Sequence, residues 1–281
     1  MRITRIVLFV LCLLPALSSA RHSYYPHEYQ EKFERGQLSG ARLKQALFTV
    51  LDETHMKSPG EEDKIGCQKN LKANQSCYRQ ESLSYRHARK ELFGKLHLKR
   101  NDRGYFIKDV YCNEVFTEHD RVGRGRIPSH TKINTEHTWP QSKFTGRFSR
   151  GMQKGDLHHL FPTNSRANSI RSSYNFGDVD GGEIDGCRSS AIGISIDRRS
   201  HLQYFEPADE AKGNVARAVF YFSVRYQLQI PESEEAALRR WHNQDPVDRE
   251  EEKRNDGIYE IQNNRNPFID YPELVGMIQD F

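Results

Sequence analysis

Residues 134–144 and 155–176 read NTEHTWPQSKF and GDLHHLFPTNSRANSIRSSYNF, and a short basic connector joins them. The stretch combines hard oxygen ligands, imidazoles and arginines, and this mixture is poor material for an apolar core. The oxygen ligands are Glu136, Asn164, Asn168 and Asp156. The imidazoles are those of His137, His158 and His159, and the arginines are Arg147, Arg150, Arg166 and Arg171. Metal-assisted cleavage of a phosphodiester requires groups of these three kinds. The stretch is therefore predicted to form an active site that the rest of the chain supports.

Positive charge is concentrated around this stretch. The 281 residues contain 42 Lys and Arg against 38 Asp and Glu, which gives a formal net charge of +4. Residues 121–171 alone hold ten Lys or Arg and only two acidic residues. Such a local excess suits a polyanionic substrate, although a solvated basic loop is the usual explanation of a charge run. Because the charge coincides with the histidines, we favour phosphate binding.

The N-terminal residues have the features of a secretory signal peptide. Two arginines precede an apolar run at residues 6–17, and small residues at 18–20 suit cleavage before Arg21. The predicted division is a signal peptide at 1–20 and one domain at 21–281. Since no later segment is apolar enough to span a bilayer, we expect a mature, monomeric protein that is periplasmic or secreted and has no membrane attachment.

Four cysteines remain in the mature chain, namely Cys67, Cys77, Cys112 and Cys187. An even number of cysteines in an oxidising compartment favours two disulfides over a metal cluster. Three pairings are possible. We prefer Cys67–Cys77 with Cys112–Cys187, because the first two cysteines lie in one polar stretch.

The hydrophobic pattern predicts a mixed, mostly helical α+β domain with a small sheet. Helices are predicted after Ser39, at about 83–96, from Asn164 onward, at about 209–228 and over most of 232–261. Strands are predicted at 105–116 and 132–137, with a short strand or turn at 156–161. The remaining segments are predicted to be a surface tail at 21–37, a loop at 122–130, a hairpin-like loop at 177–186, and an irregular C-terminal segment that contains NRNPFIDYPEL.

His137 is the natural general base, because imidazole titrates near neutrality. In an extended strand the side chain of Glu136 would point to the opposite face. The chain must therefore twist or bend there if both residues serve one site. A Glu-His pair alone is weak evidence and is more often a surface feature. His158 and His159 match no structural zinc spacing, and one of the two is predicted to be a buried, hydrogen-bonded core residue.

The order of several long segments resembles the endonuclease I family of exported bacterial nucleases, which belongs to the ββα-metal, or His-Me finger, group. The matching segments are the two quoted above, together with FEPADEAKGNVARAVFYFSVRY (205–226), WHNQDPVD (241–248) and RNDGIYEIQNNRNPFIDYPEL (254–274). They extend the resemblance over most of the mature chain. It implies an α+β fold whose active site is a ββα-metal finger.

The resemblance also implies a role for each site residue. His137 would be the general base, Glu136 a metal ligand, and Asn168 the second protein ligand on the finger helix. A connector arginine, Arg147 or Arg150, would hold the phosphate. Two protein ligands leave positions for water and phosphate oxygens, which suits Mg²⁺, with Mn²⁺ or Ca²⁺ as alternatives.

The expected activity is Mg²⁺-dependent, largely sequence-nonspecific endonuclease cleavage of DNA, with RNA as an alternative substrate and 5′-phosphate products. A water deprotonated by His137 would attack the scissile phosphorus in line. Two other functions stay open. A non-catalytic nucleic-acid-binding protein would need the arginines but not Glu136, His137 and Asn168 together. An exported metallophosphatase would need a tighter site, usually with two metals.

Overall fold

The computed structural model describes residues 22–197 and 200–281, so the signal peptide predicted at 1–20 lies outside the described residues. The helices are α1 (His27–Glu34), α2 (Gly40–Asp52), α3 (Tyr85–Glu91), α4 (Arg150–Gly155), α5 (Ser165–Arg171), α6 (Lys212–Tyr226), α7 (Glu232–Gln244), α8 (Arg249–Gln262), α9 (Pro267–Asp270) and α10 (Leu274–Met277). The strands are β1 (His55–Lys57), β2 (Lys64–Ile65), β3 (Ser76–Tyr78), β4 (Lys99–Asn101), β5 (Gly104–Lys108), β6 (Val115–Thr117), β7 (Ile133–His137), β8 (Leu160–Asn164), β9 (Asn175–Phe176), β10 (Val179–Ile184), β11 (Cys187–Ser195) and β12 (Gln203–Glu206). Within the described ranges, every helix is too short or too polar to serve as a bilayer-spanning segment.

The fold is α+β, as the sequence predicts, with the strands divided among small sheets. Three of these are antiparallel, with the orders β2-β1-β3, β4-β5-β6 and β7-β8. The fourth has the order β10-β11-β12-β9 and is parallel only between β12 and β9. Residues 177–186 enter this sheet as β10, which pairs with β11 in a hairpin. A hairpin is what the sequence predicts for that acidic segment.

Helix α6 lies at the centre of the larger hydrophobic core. All of its residues except Asn214 are buried, and the helix contacts α2, α7 and α9. Its aromatic rings pack on those of Trp139, Phe144, Phe268 and Phe281. A 3₁₀ turn precedes the helix, and Gln227 ends it with a left-handed φ of 52°. The prediction of a long core helix at 209–228 is confirmed, with slightly narrower bounds.

A second, smaller core supports the strands that carry the predicted site. It joins α3 and the π-helical turn after it (Leu92–Leu96) to β5–β8 and α8. Its buried members include Leu92, Phe93, Ile107, Phe116, Ile133, Leu157, Leu160 and Ile258. The predicted helix at 83–96 is thus an α-helix that ends in a π turn. The strand pair β7–β8 rests on an apolar base.

The two disulfides are Cys67–Cys77 and Cys112–Cys187, so the preferred pairing is confirmed. Cys112 lies in a turn that is organised by the buried carboxylate of Asp109. This carboxylate accepts hydrogen bonds from the backbone N–H groups of Cys112 (2.9 Å) and Asn164 (3.1 Å). The long-range disulfide therefore connects β11 to a turn that also holds the end of β8.

The prediction of a surface tail at 21–37 is wrong. These residues form α1, and Tyr25 packs in the larger core. The Tyr25 hydroxyl donates a hydrogen bond to Asp270 (2.6 Å), and the Tyr271 hydroxyl donates one to Gln30 (3.0 Å). The partners come from the other end of the chain. The aromatic residues at 21–37 show no helical period, so the sequence did not indicate these distant partners.

Two further predictions need correction. The single strand predicted at 105–116 is a hairpin of β5 and β6, because Asp109 stabilises a turn by accepting a hydrogen bond from the Glu114 backbone N–H (2.8 Å). The C-terminal segment that we expected to be irregular contains two short helices. Asn266 caps the first of them, α9, by accepting from the Phe268 backbone N–H (3.0 Å).

Candidate active site

The predicted site residues lie in a unit of two short strands and a helix, which we call the β7–β8–α5 unit. The strands are antiparallel, and Glu136 lies opposite Phe161. Asn164 then caps α5 through its side-chain oxygen, which accepts from the backbone N–H groups of Arg166 and Ala167. A capping Asn directly after a strand makes a sharp start for a helix, and α5 packs back onto both strands.

Asn168 lies half-buried on the face of α5 that meets β7. Its side-chain amide nitrogen donates to the Thr135 backbone oxygen (3.3 Å), so the helix is joined to the residue before Glu136. With the amide nitrogen facing that carbonyl, the Asn168 Oδ1 atom remains available to bind another group. The structure thus brings Asn168 next to the strand segment that carries Glu136 and His137.

Glu136 is a buried carboxylate, with only 2% of its surface exposed. Its Oε1 atom lies 2.9 Å from Arg171 Nη1 but accepts no hydrogen bond from any described residue. Burial raises the pKa of Glu136, while Arg171 and the nearby Tyr111 hydroxyl oppose that rise. A buried carboxylate oxygen that lacks a hydrogen bond can accept a cation as a ligand.

Arg171 supports the strand from within the protein. Its guanidinium donates to the backbone oxygens of His137 (3.0 Å) and Thr138 (2.7 Å) and stacks on the Phe176 ring at 4.4 Å. The sequence grouped Arg171 with the cations available to a phosphate. That grouping is wrong, because the side chain is buried between α5 and the end of β7. Arg171 instead fixes the carboxylate of Glu136 and the backbone next to it.

The His137 ring is held by one backbone carbonyl. Its Nε2 atom lies 3.2 Å from the Lys154 oxygen. A carbonyl can only accept, so Nε2 carries the ring proton and Nδ1 keeps its lone pair. Burial, with His159 nearby, lowers the pKa of His137 well below its usual value. The imidazole is therefore neutral near pH 7 and can accept a proton at Nδ1.

Aromatic rings enclose the same imidazole. The ring centroids of Tyr85, Phe144 and His159 lie 5.5, 6.3 and 5.2 Å from that of His137, which is 6% exposed. The side-chain nitrogen of Gln141 lies 3.5 Å from Nδ1. His137 contacts α3 and α4, whereas Glu136 contacts α5. The two side chains thus contact different helices, while the Arg171 guanidinium joins the Glu136 carboxylate to the backbone oxygen of His137.

The two connector arginines differ in their relation to His137. Both are exposed. Arg150 donates to the Gln141 backbone oxygen (3.2 Å) and lies over the Phe144 ring at 5.6 Å, so it belongs to the segment that contacts His137. Arg147 lies over the Phe148 ring at 5.9 Å, and no contact among the described residues joins it to His137.

His158 and His159 are both core residues, one more than the sequence predicts. Their Nε2 atoms lie 3.2 Å from the Asn264 oxygen and 2.8 Å from the Gln153 oxygen. Burial lowers the pKa of each imidazole to about 4. Asp156 is not a candidate metal ligand, because its buried carboxylate accepts four side-chain hydrogen bonds, from Gln80, Tyr221, Tyr226 and Gln262.

Sequence reasoning missed two residues that shape the site. Tyr111, whose hydroxyl lies beside Glu136, is part of an aromatic run that predicts a strand. Lys154 holds His137 through its main-chain oxygen, which no side-chain pattern can reveal. Arg150, Glu136, His137 and Asn168 were named as candidates from sequence, and their arrangement required the structure.

Glu136 and Asn168 are suitable ligands for Mg²⁺. Both offer oxygen atoms, which hard divalent cations prefer, and the Glu136 Oε1 atom, although 2.9 Å from Arg171 Nη1, accepts no hydrogen bond from the described part of the chain. No group of three or more His, Cys, Asp or Glu side chains that could hold a metal occurs in residues 22–197 and 200–281. The donor set therefore fits a cation that keeps several water or phosphate ligands.

A family model described as endonuclease I matches residues 66–273. The chain is 39% identical over 178 residues to an extracellular ribonuclease of Bacillus amyloliquefaciens, covering 57% of this chain and 58% of the relative. It is 39% identical over 159 residues to an extracellular ribonuclease of Bacillus subtilis (50% and 51%). An extracellular deoxyribonuclease of Aeromonas hydrophila is 32% identical over 119 residues (42% and 49%). The chain thus spans about half the length of these curated relatives. Since the family model covers most of the sequence, the chain belongs to the endonuclease I family.

Proposed function

We propose that this protein is an exported, Mg²⁺-dependent endonuclease that hydrolyses DNA with little sequence specificity, with RNA as an alternative substrate. The observation that carries the proposal is the neutral His137 imidazole, fixed through Nε2 and placed on the same strand as a buried carboxylate that pairs with Arg171 but whose Oε1 atom accepts no hydrogen bond from the described residues. Membership of the endonuclease I family and the names of the similar proteins support nucleic acid as the substrate.

His137 is the general base in this proposal. Its Nδ1 atom removes a proton from the water that attacks the scissile phosphorus, while the Lys154 oxygen keeps the second ring nitrogen protonated. The low pKa of the imidazole keeps the ring in the form that can accept this proton. The tautomer is set before substrate binds, so no rearrangement of the ring is needed for the proton transfer.

Glu136 and Asn168 would hold the Mg²⁺ ion, which supplies Lewis-acid stabilisation of the charge that develops on the phosphate oxygens. Arg171 keeps the Glu136 carboxylate in place, and the hydrogen bond from Asn168 to Thr135 aligns α5 with the strand. Arg150 reaches the phosphate from the segment next to His137, and Arg147 contributes positive charge further out. The products carry a 5′-phosphate.

The names of similar proteins leave the choice of nucleic acid open. The Bacillus relatives are called ribonucleases and the Aeromonas relative a deoxyribonuclease. Similar proteins called extracellular or periplasmic also support export, with periplasmic or secreted mature protein and a signal peptide at 1–20. We propose a monomer with one domain from residue 21 to 281.

The first test is cleavage of supercoiled plasmid and of a long RNA, each with Mg²⁺ and with excess chelator. Wild-type protein should nick and degrade at least one substrate, and chelation should abolish this. His137→Ala should reduce turnover by about 10²- to 10⁴-fold, the usual contribution of a general base, with DNA still retarded on a gel. His119→Ala, at an exposed histidine outside the unit, should leave turnover unchanged.

Two outcomes contradict the proposal. Near wild-type turnover by His137→Ala would remove His137 as the base. Retarded DNA without any cleavage by wild type would instead indicate a nucleic-acid-binding protein. The metal assignment has its own measurement, which is calorimetric titration with Mg²⁺. Glu136→Gln and Asn168→Ala should each weaken the measured affinity, and unchanged affinity in both would exclude them as ligands.

A further inference from the structure

Helix α3 extends from the catalytic imidazole towards a second basic surface. Its first residue, Tyr85, contacts the His137 ring at 5.5 Å and the Lys154 ammonium at 4.5 Å. Arg86 and Lys90 are exposed on the same helix, and no ion pair involves either of them in the described part of the chain. One face of the site therefore continues onto a helix that presents unpaired cations.

Two adjoining surface grooves follow this helix. The first has a volume of about 590 Å³ and is lined by residues that include Arg86, Lys90 and Gly125. The second has a volume of about 500 Å³ and shares Lys90 and Gly125 with the first. It continues to Arg100, Tyr105 and Arg124. The shared residues make the two grooves continuous, so the surface can accommodate an extended chain.

Two arginines at the far end are arranged around one aromatic ring. Arg100 and Arg124 lie 5.6 and 5.8 Å from the centroid of Tyr105. Arg100 and Tyr105 are direct partners in the β4–β5 ladder. Stacking on a ring reduces the conformational freedom of a guanidinium, so less entropy is lost when it binds a phosphate. The same planar groups can also stack on a nucleobase.

A close backbone contact fixes the loop that carries Arg124. The Gly125 backbone N–H donates to the Gly94 oxygen (3.3 Å), and Gly125 has a left-handed φ of 63°. A Cβ atom at Gly94 would lie 2.6 Å from the Gly125 nitrogen. Because Gly94 has no side chain, the loop can pack directly against the π-helical turn. This contact fixes the loop that carries Arg126 and Arg124, of which Arg124 lines the second groove.

We propose that this surface, the cationic track, binds the phosphate backbone of the nucleic acid on the side of His137 that faces α3. The track consists of Arg86, Lys90, Arg100, Tyr105, Arg124 and Arg126. The inference rests on the proposed nuclease function for its substrate class. It also predicts the path of the substrate. The strand runs from the scissile phosphate along α3 and ends at Tyr105, on which Arg100 and Arg124 stack.

The charges on the track favour an anionic partner. All five cationic side chains are exposed, and none of them forms an ion pair with another described residue. Two acidic residues lie beside the track: Glu91, 3.5 Å from His87, and Glu118, which accepts from the Tyr105 backbone N–H (3.0 Å). The five cations of the track outnumber them. Cations without partners that follow a groove are the usual means of binding a polynucleotide backbone.

The length of the track suits several nucleotides. Helix α3 and the π turn contain seven and five residues, which corresponds to about 18 Å along the helix axis. At about 3.4 Å per nucleotide in a stacked strand, this covers roughly five phosphates. A single strand of about 20 nucleotides is therefore long enough to occupy the catalytic site and the track together.

The test measures binding of such a fluorescent single strand by anisotropy, in chelator so that nothing is cleaved. Arg100→Gln/Arg124→Gln should lower affinity about five- to tenfold and reduce the salt slope by about 1.4, because two phosphate contacts are lost. The matched control is Arg35→Gln/Arg42→Gln. It removes the same charge from exposed positions at α1 and α2, which pack on the larger core, and it should behave as wild type.

A second measurement locates the strand directly. An oligonucleotide with a photoactivatable base several positions from one end should crosslink to Tyr105, and mass spectrometry would identify the site. If the double variant matches the control in affinity and salt slope and no crosslink forms at Tyr105, the track is excluded. Cleavage of the same strand with Mg²⁺ separates the two proposals. Binding through the track without cleavage would contradict the nuclease function alone, and cleavage with unchanged affinity in the variant would contradict the track alone.

Discussion

Helix α6 and the β7–β8–α5 unit are both buried, but different interactions stabilise them. Helix α6 packs mostly against apolar and aromatic side chains, and its two buried arginines, Arg217 and Arg225, pair with Glu251 and Asp52. The unit instead buries Glu136, Arg171 and hydroxyl-bearing residues between its strands and helix. Apolar packing tolerates substitutions of similar volume, whereas a buried charge requires its specific partner. The apolar positions of α6 should therefore tolerate single substitutions better than Glu136 and Arg171 do.

The largest effect should follow loss of the buried partner. Arg171→Met leaves Glu136 without its counter-charge and removes the donors to the backbone oxygens of His137 and Thr138. We expect the free energy of unfolding to fall by about 3–5 kcal/mol, measured by urea denaturation. The control is Arg240→Met, which removes an exposed pair with Asp178 and should cost less than about 1 kcal/mol. Equal losses of unfolding free energy in the two variants would show that the buried pair stabilises the protein no more than the surface pair.

Removal of a disulfide should have the next largest effect on stability. The disulfide that closes the longer loop should cost more when it is removed. Cys112–Cys187 joins residues 75 positions apart, and Cys67–Cys77 joins residues 10 apart. Replacing the first pair with serines should cost about 4 kcal/mol and the second about 3 kcal/mol on the chain-entropy model. Thermal unfolding of the two double variants tests the order. A larger loss from Cys67→Ser/Cys77→Ser would show that the Asp109 turn holds the unit without its disulfide.

Acid should weaken the protein through its buried histidines. The pKa of His158 is about 4 in the folded protein and near 6.5 when unfolded. Between these values the unfolded state binds the extra proton, so stability falls as pH falls, by about 1.4 kcal/mol per pH unit. His158→Gln should flatten the dependence between pH 6.5 and 4 by about that slope. An unchanged slope in urea titrations would show that His158 is not the group responsible.

The smallest effect should come from the apolar region. Val219→Ala removes two buried methyl groups from α6 and should cost about 2 kcal/mol from lost burial and the cavity left behind. Calorimetric Mg²⁺ affinity should not change, since α6 provides no proposed ligand. A loss of stability above that of Arg171→Met would reverse the ranking of the two regions.

Sequence alone predicted the parts of the molecule that local rules determine. The apolar stripe of α6 repeats with the helical period, and Asn164 is a strong helix cap that follows a short strand. These signals depend only on residues close together in the chain. For the same reason the strand at 132–137 and the helix that carries Asn168 were predicted close to their observed bounds.

Local sequence rules could not predict contacts between residues that lie far apart in the chain. An arginine can face solvent or a buried carboxylate, and the packing of α5 on β7 decides this for Arg171. The contact of the Lys154 carbonyl with His137 depends on the position of α4 and not on the lysine side chain. Glu136 and His137 were recognised from a family pattern. The protonation of one ring nitrogen and the pairing of the carboxylate with Arg171 could be derived only from the three-dimensional contacts.

The contact between the two ends of the chain has a consequence for the order of folding. Tyr25 and Gln30 bond to Asp270 and Tyr271, which lie more than 240 positions later. Such distant contacts form late and slow the search for the native state. During synthesis the N-terminal aromatic residues emerge first and lack these partners until nearly the whole chain has been made. Tyr25 and its neighbours are therefore surfaces that chaperones can bind before the last helices arrive.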